Sequence, residues 1–298
     1  MANEQDIQLL VGFSEGSASN IVAKMISPAL GKALNQTVRI LRVPGENGAL
    51  CMERAAHAAP DGRTLAIAIQ ANIVGSLLHT SKRYDPLVDL APVALFAKSP
   101  LVLAVSPALG VTSVAELISL EQSQPGALTY AASARGGAPH LAGVLFNVMA
   151  NTRLQLRVYA ETNVLYQDLA AGRIAATFNN IMSALPLAQA GKLRILAVTA
   201  LERSVKAPDI PTMAEVALRG YDIMNSVGIV APAATPAAVI ARLNAAVAQA
   251  VGTPEVRDAL VASGMEPVIA SPEVFAAHLR EIMGRWSGFI KAHRAAFD

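Results

Sequence analysis

Residues 7–26 read IQLLVGFSEGSASNIVAKMI and combine an apolar run, a loop rich in glycine and serine, and an amphipathic segment. The apolar run from Ile7 to Val11 predicts a buried strand, and the segment from Asn20 to about Leu34 predicts a helix. The inward face of this helix is predicted to carry Ile21, Met25, Ile26, Leu30 and Leu34. Strand and helix signals alternate in the same way over most of the chain, which indicates an α/β fold with parallel or mixed sheets.

The composition excludes several classes of protein. The chain has 298 residues, of which 53% are hydrophobic and 15% are charged, so it can bury a large core and is not disordered. No uninterrupted apolar run reaches the roughly 18 residues that a membrane helix needs, and we therefore expect a soluble protein. A net charge of +2 gives no basis for nucleic-acid binding, and Cys51, the single cysteine, can form no internal disulfide.

One short motif points to catalysis. Gly12-Phe13-Ser14-Glu15-Gly16 matches the G-x-S-x-G nucleophile elbow and supports the hypothesis of an esterase-like hydrolase with Ser14 as nucleophile. Against it, the motif follows the first strand, whereas α/β-hydrolases place several strands before it, and no HGGG-type segment for an oxyanion hole is present. No histidines or acids show metal-ligand spacing, so the sequence predicts neither a metal nor a cofactor.

Loops of small, hydrogen-bonding residues recur just before predicted helices. They occur at residues 16–19, 45–48 and 135–138, and at Asn179-Asn180. The start of a helix carries free N–H groups and the positive end of the helix dipole, so it can bind an anion without a charged side chain. The alternative is that these residues only form the turns that every β/α unit needs.

These segments occur in an order that resembles one family of binding proteins. The run VGFSEGSASNIVAK, from Val11 to Lys24, resembles the V-P-F-P-A-G-G-x-x-D-x-x-A-R start of Bug-type proteins, the extracytoplasmic substrate-binding proteins of tripartite tricarboxylate transporters. The similarity continues through PGENG (44–48), APDGRTL (59–65), YDP (84–86), PHLAG (139–143), FNN (178–180), AGKLRILAVT (190–199), PDIPT (208–212) and APAATP (231–236). It therefore covers nearly the whole chain.

The resemblance implies a two-domain Venus-flytrap fold of the periplasmic-binding-protein type, type II-like, with mixed sheets and crossover strands. Residues 1–101 together with 226–298 would form one discontinuous domain, and residues 102–225 would form the other. The ligand would lie in the cleft between the two domains.

The resemblance also implies a function. Family members capture small organic acids, often dicarboxylates, and pass them to the membrane permease subunits of the transporter, without catalytic residues or a cofactor. We therefore expect a monomeric periplasmic binding protein. The polar start MANEQD lacks the features of an export signal, which would have been removed or replaced in the chain as given.

Site residues are carried over from the family by position. The first loop and helix start would supply backbone N–H groups and hydroxyls, the loop after the third strand would line the pocket, and the other domain would supply a glycine-rich loop, a tyrosine and an F-N-N segment. The residues are Phe13, Ser14, Gly16, Ser17, Ser19, Asn20, Gln70, Asn72, Ser133, Arg135, Gly136, Gly137, Tyr159, Phe178, Asn179 and Asn180.

Departures from the family pattern bear on the ligand. Asn20 and Asn179 stand where aspartate is usual, which removes two negative charges. Arg135 could form a bidentate pair with a carboxylate, or it could point to solvent or pair with Glu15 or Glu161. Because the two glutamates would oppose an anion if they faced the ligand, an amide, a zwitterion or a neutral ligand stays open.

A third hypothesis follows from the missing export signal. A cytoplasmic flytrap sensor would use the same fold to report a ligand to a signalling partner. The coding sequence upstream of Met1 distinguishes this sensor from a periplasmic receptor.

Overall fold

The computed structural model describes residues 6–13, 15, 17–78, 83–159, 161–204 and 206–297. Strands and helices alternate along the chain, which confirms the α/β class predicted from the sequence. In chain order the elements are β1 (Ile7–Val11), α1 (Ala18–Leu34), β2 (Val38–Arg42), α2 (Ala49–Ala56), β3 (Thr64–Ile69), α3 (Gln70–Ile73), β4 (Leu90–Val105), α4 (Val114–Ser123), β5 (Thr129–Ala132), α5 (Ala138–Ala150), β6 (Gln155–Val158), α6 (Thr162–Ala170), β7 (Ala176–Asn180), α7 (Ile181–Gln189), β8 (Arg194–Val198), α8 (Met213–Val216), β9 (Met224–Pro232), α9 (Ala237–Gly252), α10 (Pro254–Ala262), β10 (Glu266–Pro267) and α11 (Pro272–Ala292).

The chain divides into two compact units. Unit 1 comprises Met1–Lys98 and Ser226–Lys291, and unit 2 comprises Ser99–Asn225 and Ala292–Asp298. This division differs from the predicted boundaries in two places: the first passage lies three residues earlier, and the C-terminal segment groups with unit 2. The ligand cleft predicted between the domains stays a prediction.

Unit 1 is a sheet covered by helices on both faces. Its strand order is β2-β1-β3-β9-β4, with β10 paired to β4, and β1 runs parallel to both β2 and β3. Successive residues of a strand face opposite sides of the sheet. Leu9 and Val11 accordingly pack with α1, α9 and α10, whereas Leu10 packs with α2 and α11.

The inward face of α1 differs from the prediction at its first turn. Ile21 is 39% exposed, whereas Ser19, Asn20 and Val22 are buried. Ile26 and Leu30 are buried as predicted, and Met25 and Leu34 pack against the core from half-buried positions. The start of α1 therefore buries polar side chains, and the prediction for Ile21 was wrong.

Unit 2 has the same layered construction. Its strand order is β8-β4-β7-β5-β6, in which β5 runs parallel to β6 and β7, while β4 is antiparallel to β7 and β8. Helices α6 and α7 pack on one face through Leu165, Leu169 and Ala184. Within the described residues, none of the helices is both long and apolar enough to cross a membrane.

Candidate functional site

In each sheet, one strand has the next strand of the chain on one side and a later strand on its other side. In unit 1, β1 is flanked by β2 on one side and β3 on the other; in unit 2, β5 is flanked by β6 and β7. Loops leaving such neighbouring parallel strands diverge at their carboxyl ends and leave a crevice, where ligands of open α/β sheets bind. The predicted site residues lie at or next to the carboxyl ends of these strands.

The first such crevice is built around two glycines. A β-carbon placed on Gly12 would lie 2.8 Å from the Cα of Gly48, and one placed on Gly48 would lie 2.9 Å from Cε2 of Phe13 and 3.1 Å from Cβ of Asn72. Gly48 also has a φ of +85°, which disfavours any other residue. The two glycines therefore bring the loops after β1 and β2 into contact, and Gly48 also lies against both Phe13 and Asn72, the latter after β3.

Helix α1 begins at this crevice. Ser17 is its N-cap, and the Ser17 hydroxyl accepts a 3.3 Å hydrogen bond from the backbone N–H of Asn20 and lies 3.3 Å from the Ser19 hydroxyl. Ser19 and Asn20 are 1% and 2% exposed, and Oδ1 of Asn20 has no hydrogen-bond partner among the described residues. The first turn holds no acidic residue, so the positive end of the helix is not neutralised from within.

Ser14 and Gly16, which were predicted to contact ligand, lie outside the residues that the structure describes. The nucleophile of the hydrolase hypothesis lies outside them as well. Glu15 between them pairs with Lys24 at 2.8 Å and with Arg42 at 3.3 Å. The hydrogen bond from Lys24 is the main cause that holds the pKa of Glu15 below its usual value. Two cations therefore compensate this carboxylate.

The two residues predicted after β3 have different surroundings. Oδ1 of Asn72 accepts the backbone N–H of Ile69 at 2.8 Å, and its Nδ2 donates to the carbonyl of Ile67 at 3.0 Å. The hydroxyl of Tyr84 donates to the backbone carbonyl of Asn72. Both amide atoms of Asn72 thus hold the turn, whereas Gln70 is 3% exposed at the start of α3.

In unit 2, the loop after β5 leads directly into helix α5. Gly136 has a φ of +75°, and its N–H donates a 2.9 Å hydrogen bond to Nδ1 of His140. Gly137 is the N-cap and has no side chain with which to cap the helix, and the first turn holds no acidic residue. Ser133 is exposed at the start of the loop. The N–H groups at the start of α5 are therefore not satisfied by a side-chain cap.

Arg135 is engaged by a segment that sequence reasoning did not connect with the site. Its Nη1 donates a 3.2 Å hydrogen bond to the backbone carbonyl of Phe297, near the end of the chain. The two residues are 162 positions apart, and no local pattern in the sequence links them. Burial and the neighbouring Arg135 together lower the pKa of His140 to about 4.

Tyr159 is buried, and its hydroxyl donates a 2.6 Å hydrogen bond to Asp168. Arg173 approaches the other oxygen of Asp168 at 2.6 Å, and the guanidinium of Arg157 lies 5.2 Å from the centre of the tyrosine ring. The hydrogen bond from Tyr159, followed by that from Arg173, lowers the pKa of Asp168. Glu161 is exposed at the N-cap position of α6.

The F-N-N segment at the end of β7 also serves the fold. The side chain of Phe178 is fully buried and packs against Tyr130 and Phe146, and the ligand contact predicted for it stays a prediction. Oδ1 of Asn180 caps α7 by accepting the N–H of Met182 at 2.8 Å, and its Nδ2 donates to the Ser99 hydroxyl at 3.0 Å. Oδ1 of Asn179 accepts the N–H of Asn180.

The described residues contain no group of three histidine, cysteine, aspartate or glutamate side chains that could hold a metal ion. Cys51 is fully buried beneath the loop after β1, where burial raises its pKa to about 12. The two crevices offer hydroxyls, amides and backbone N–H groups. This arrangement can hold an anion by hydrogen bonds and helix dipoles.

Several known proteins have the same fold and a similar sequence. The structure of Rpa4515 from R. palustris with adipate aligns with a TM-score of 0.87 and 31% identity, covering 97% of both chains. MatC from Rhodopseudomonas palustris with bound malate aligns with a TM-score of 0.84 and 28% identity, covering 95% of this chain and 98% of MatC. These alignments over nearly the full length confirm the two-domain periplasmic-binding-protein fold that the resemblance implied.

Sequence comparison gives the same family. The protein BugT of Bordetella pertussis is 30% identical over 287 residues, which cover 96% of this chain and 88% of BugT. The profile of the tripartite tricarboxylate transporter family receptor, TctC, matches residues 22–294. Because that match spans most of both units, the chain belongs to the TctC family of receptors, as the ordered motifs of its sequence predicted.

Proposed function

We propose that this protein is a periplasmic receptor that captures a small carboxylate or dicarboxylate and delivers it to the membrane permease subunits of a tripartite tricarboxylate transporter. Membership in the TctC family supports the receptor role, and the adipate in Rpa4515 and the malate in MatC support the ligand class. The observation that carries the proposal is that a long helix starts at the carboxyl end of β1 in unit 1 and of β5 in unit 2.

The electrostatics of these helix starts favour an anion. Helices α1 and α5 have 17 and 13 residues, and neither has an acidic residue in its first turn. The buried side chain of Asn20 is an uncharged amide where family members usually carry aspartate. Glu15 is compensated by Lys24 and Arg42. The charge that would oppose a carboxylate at the first crevice is therefore small.

Backbone N–H groups supply most of the proposed contacts. In unit 1 we propose that they come from Phe13 and from residues 17–20, with the hydroxyls of Ser17 and Ser19, and that Gln70 at the start of α3 adds a contact. In unit 2 they come from Ser133, Gly137 and Asn179, whereas the N–H of Gly136 is bonded to His140 and Gly136 shapes the turn. Five other predicted side chains have partners within the protein, and we propose that they hold these segments in place. They are Asn72, Arg135, Tyr159, Phe178 and Asn180.

The proposal includes binding without chemical conversion, a monomeric state and export to the periplasm. The ligand should be recovered unchanged after long incubation with the protein, as followed by proton NMR. Light scattering should give the mass of one chain. Expression with the native upstream sequence, followed by osmotic shock, should release the protein with the periplasmic fraction; retention in the cytoplasm would favour the sensor hypothesis.

A thermal-shift panel followed by calorimetry tests the ligand class. Adipate, malate and succinate are compared with adipamide, which has the length of adipate but no charge. A ligand that binds only the folded protein stabilises it by mass action, by about 2.7 kcal/mol at a concentration 100 times its Kd. At least one acid should raise the melting temperature while adipamide does not. If adipamide stabilises as well as adipate, the anion site is wrong.

Two serine variants distinguish the loss of a ligand contact from the loss of a helix cap. Ser17 caps α1, and Ser113 caps α4 in the same way, accepting the N–H of Glu116 at 3.1 Å. Both Ser17→Ala and Ser113→Ala should lose about 0.5–2 kcal/mol of stability. Only Ser17→Ala should weaken binding of the acid, by about tenfold, because it also removes a hydrogen bond to a charged group. Equal affinities of the two variants would place the ligand elsewhere.

A further inference from the structure

The C-terminal segment passes from unit 1 onto unit 2. Helix α11 lies in unit 1 up to Lys291, and the following residues group with unit 2. They include a 3-10 turn, Arg294–Ala296, followed by Phe297, which is 7% exposed. We call residues 293–297 the C-terminal tail. The buried ring of Phe297 fixes the position of the tail.

That place is the loop that precedes helix α5. The backbone carbonyl of Phe297 accepts a hydrogen bond from Nη1 of Arg135 at 3.2 Å. Its ring meets the ring of His140 edge to face, with centroids 5.8 Å apart and planes at 90°. Aromatic pairs of this geometry stabilise beyond the area that they bury. The tail therefore contacts both ends of the segment 135–140.

Between these two contacts lies a turn that depends on them. Gly136 has a φ of +75°, and its N–H is bonded to Nδ1 of His140. Arg135 lies directly before this glycine, and His140 closes the turn. Phe297 of the tail contacts both residues. Gly137 follows as the N-cap of α5. The direction of the N–H groups in the first turn of α5 therefore depends on the conformation of this turn.

The tail also lines a cavity in unit 2. This cavity of about 600 Å³ is lined by His293, Ala295 and Ala296 of the tail and, among other residues, by Asn147 and Gln155. The side chain of Asn147 donates to the carbonyl of Leu154 and accepts from the hydroxyl of Thr152. The hydrophobic core cluster on which α6 and α7 pack contains no residue of the tail, so we expect the core of unit 2 to survive removal of the tail.

We propose that Phe297 is a positioning residue for ligand binding: it holds Arg135 and His140, and thereby fixes the turn that presents the start of α5 to the ligand. Arg135 is then an anchor for the tail and does not contact the ligand. The role of the ligand here rests on the proposed function, whereas the effect of the tail on the turn can be measured without any ligand.

The first arm uses hydrogen exchange in the ligand-free protein. Truncation after His293 and Phe297→Ala should both speed exchange of the amides of residues 133–141, because the Gly136 N–H loses its fixed acceptor. Phe289→Ala is the matched control: Phe289 is half-buried in α11 and pairs edge to face with Trp286 at 5.4 Å, so it loses the same kind of contact in unit 1. Unchanged exchange at 133–141 after truncation overturns the proposal.

The second arm is a double-mutant cycle on affinity for adipate or malate, whichever stabilises the wild-type protein. Phe297→Ala and the truncation should weaken binding at least about fivefold, the lower end of ordinary coupling between sites. Arg135→Ala should add nothing to the truncation. An additive effect of Arg135→Ala, or an unchanged affinity of the truncated protein, overturns the positioning role.

The two arms distinguish the possible failures. If the wild-type protein binds none of the acids, the proposed function fails, and the exchange of residues 133–141 still decides whether the tail fixes the turn. Faster exchange with unchanged affinity contradicts positioning and leaves the receptor function standing. Phe297→Leu, which keeps the buried apolar side chain and loses the ring contact, should give an intermediate affinity.

Discussion

The backbone N–H of Gly136 donates a 2.9 Å hydrogen bond to Nδ1 of His140, one turn into helix α5. His140 is 1% exposed, and burial, with the nearby Arg135, lowers its pKa to about 4. The ring is therefore neutral at pH 7, with its proton on Nε2, because Nδ1 must accept. Protonation of Nδ1 would break the bond and place a charge beside Arg135 and Phe297.

The first prediction is that stability falls as the pH falls from about 6.5 to about 4. In this window the unfolded histidine binds a proton that the folded one does not, so acid favours the unfolded state. A pKa that drops from 6.5 to about 4 corresponds to roughly 3 kcal/mol when the full shift is expressed. Urea unfolding at pH 7.5 and 4.5 measures it.

The matched variant for this prediction is His140→Gln, which keeps an acceptor near Gly136 but does not titrate. The stability of this variant should therefore fall less between the two pH values, because most of the loss expected from His140 should be absent. His278 has a pKa lowered mainly by burial and contributes in the same direction in both proteins. An equal loss in wild type and variant would show that His140 does not carry the effect.

The second prediction concerns the packing of α5 on its sheet. A β-carbon on Gly143 would lie 2.0 Å from Cε2 and 2.3 Å from Cζ of Tyr130, whose ring is fully buried. Gly143→Ala should therefore lose about 1–3 kcal/mol by overpacking. Gly288→Ala, in α11 with nothing within 4 Å of the added carbon, should gain up to about 1 kcal/mol from lower chain entropy. Thermal melts of both check it.

The third prediction separates support from ligand contact at Tyr159. Because its hydroxyl is bonded to Asp168, Tyr159→Phe should cost about 1–2 kcal/mol of stability by leaving the carboxylate with one donor fewer. Affinity for the acid should stay within about threefold. Calorimetry and urea unfolding on the same sample measure both. A loss of affinity of tenfold or more with unchanged stability would mean that the hydroxyl contacts the ligand.

The sequence predicts a strand well where a local apolar run between turn residues is enough to determine it. The apolar runs at Thr64–Ile69 and Arg194–Val198 predict two strands, and β3 and β8 have these bounds. The apolar runs at Pro92–Phe96 and Leu101–Val105 predict two separate strands, and this prediction was wrong because both runs belong to the single strand β4. Pro100 lies between Lys98, which pairs with β10, and Leu101, which pairs with β7, so its missing N–H costs no ladder bond there.

The candidate site could be predicted only as far as its loops. Glycine and serine before a helix are a local signal, and these positions lie at the ends of β1 and β5. The partners of Asn72, Tyr159 and Arg135 are set by tertiary contacts that leave no periodic pattern. The exposed Ile21 shows the same limit, because a helix start that buries serine and asparagine runs against the rule that apolar residues face inward.

The last prediction uses the single cysteine as a probe of unit 1. Cys51 is fully exposed only after unfolding: a β-carbon on Gly12 would lie 3.1 Å from its Cβ, and burial raises the thiol pKa to about 12. A thiolate is the reactive form, so a disulfide reagent should leave the native protein unlabelled and label one thiol in urea. Ser133→Cys, at an exposed position of the proposed site, should react in the native state and be slowed by bound acid. Labelling of native Cys51 at the rate of the introduced cysteine would show that the loop after β1 opens far more readily than its packing against Gly48 indicates.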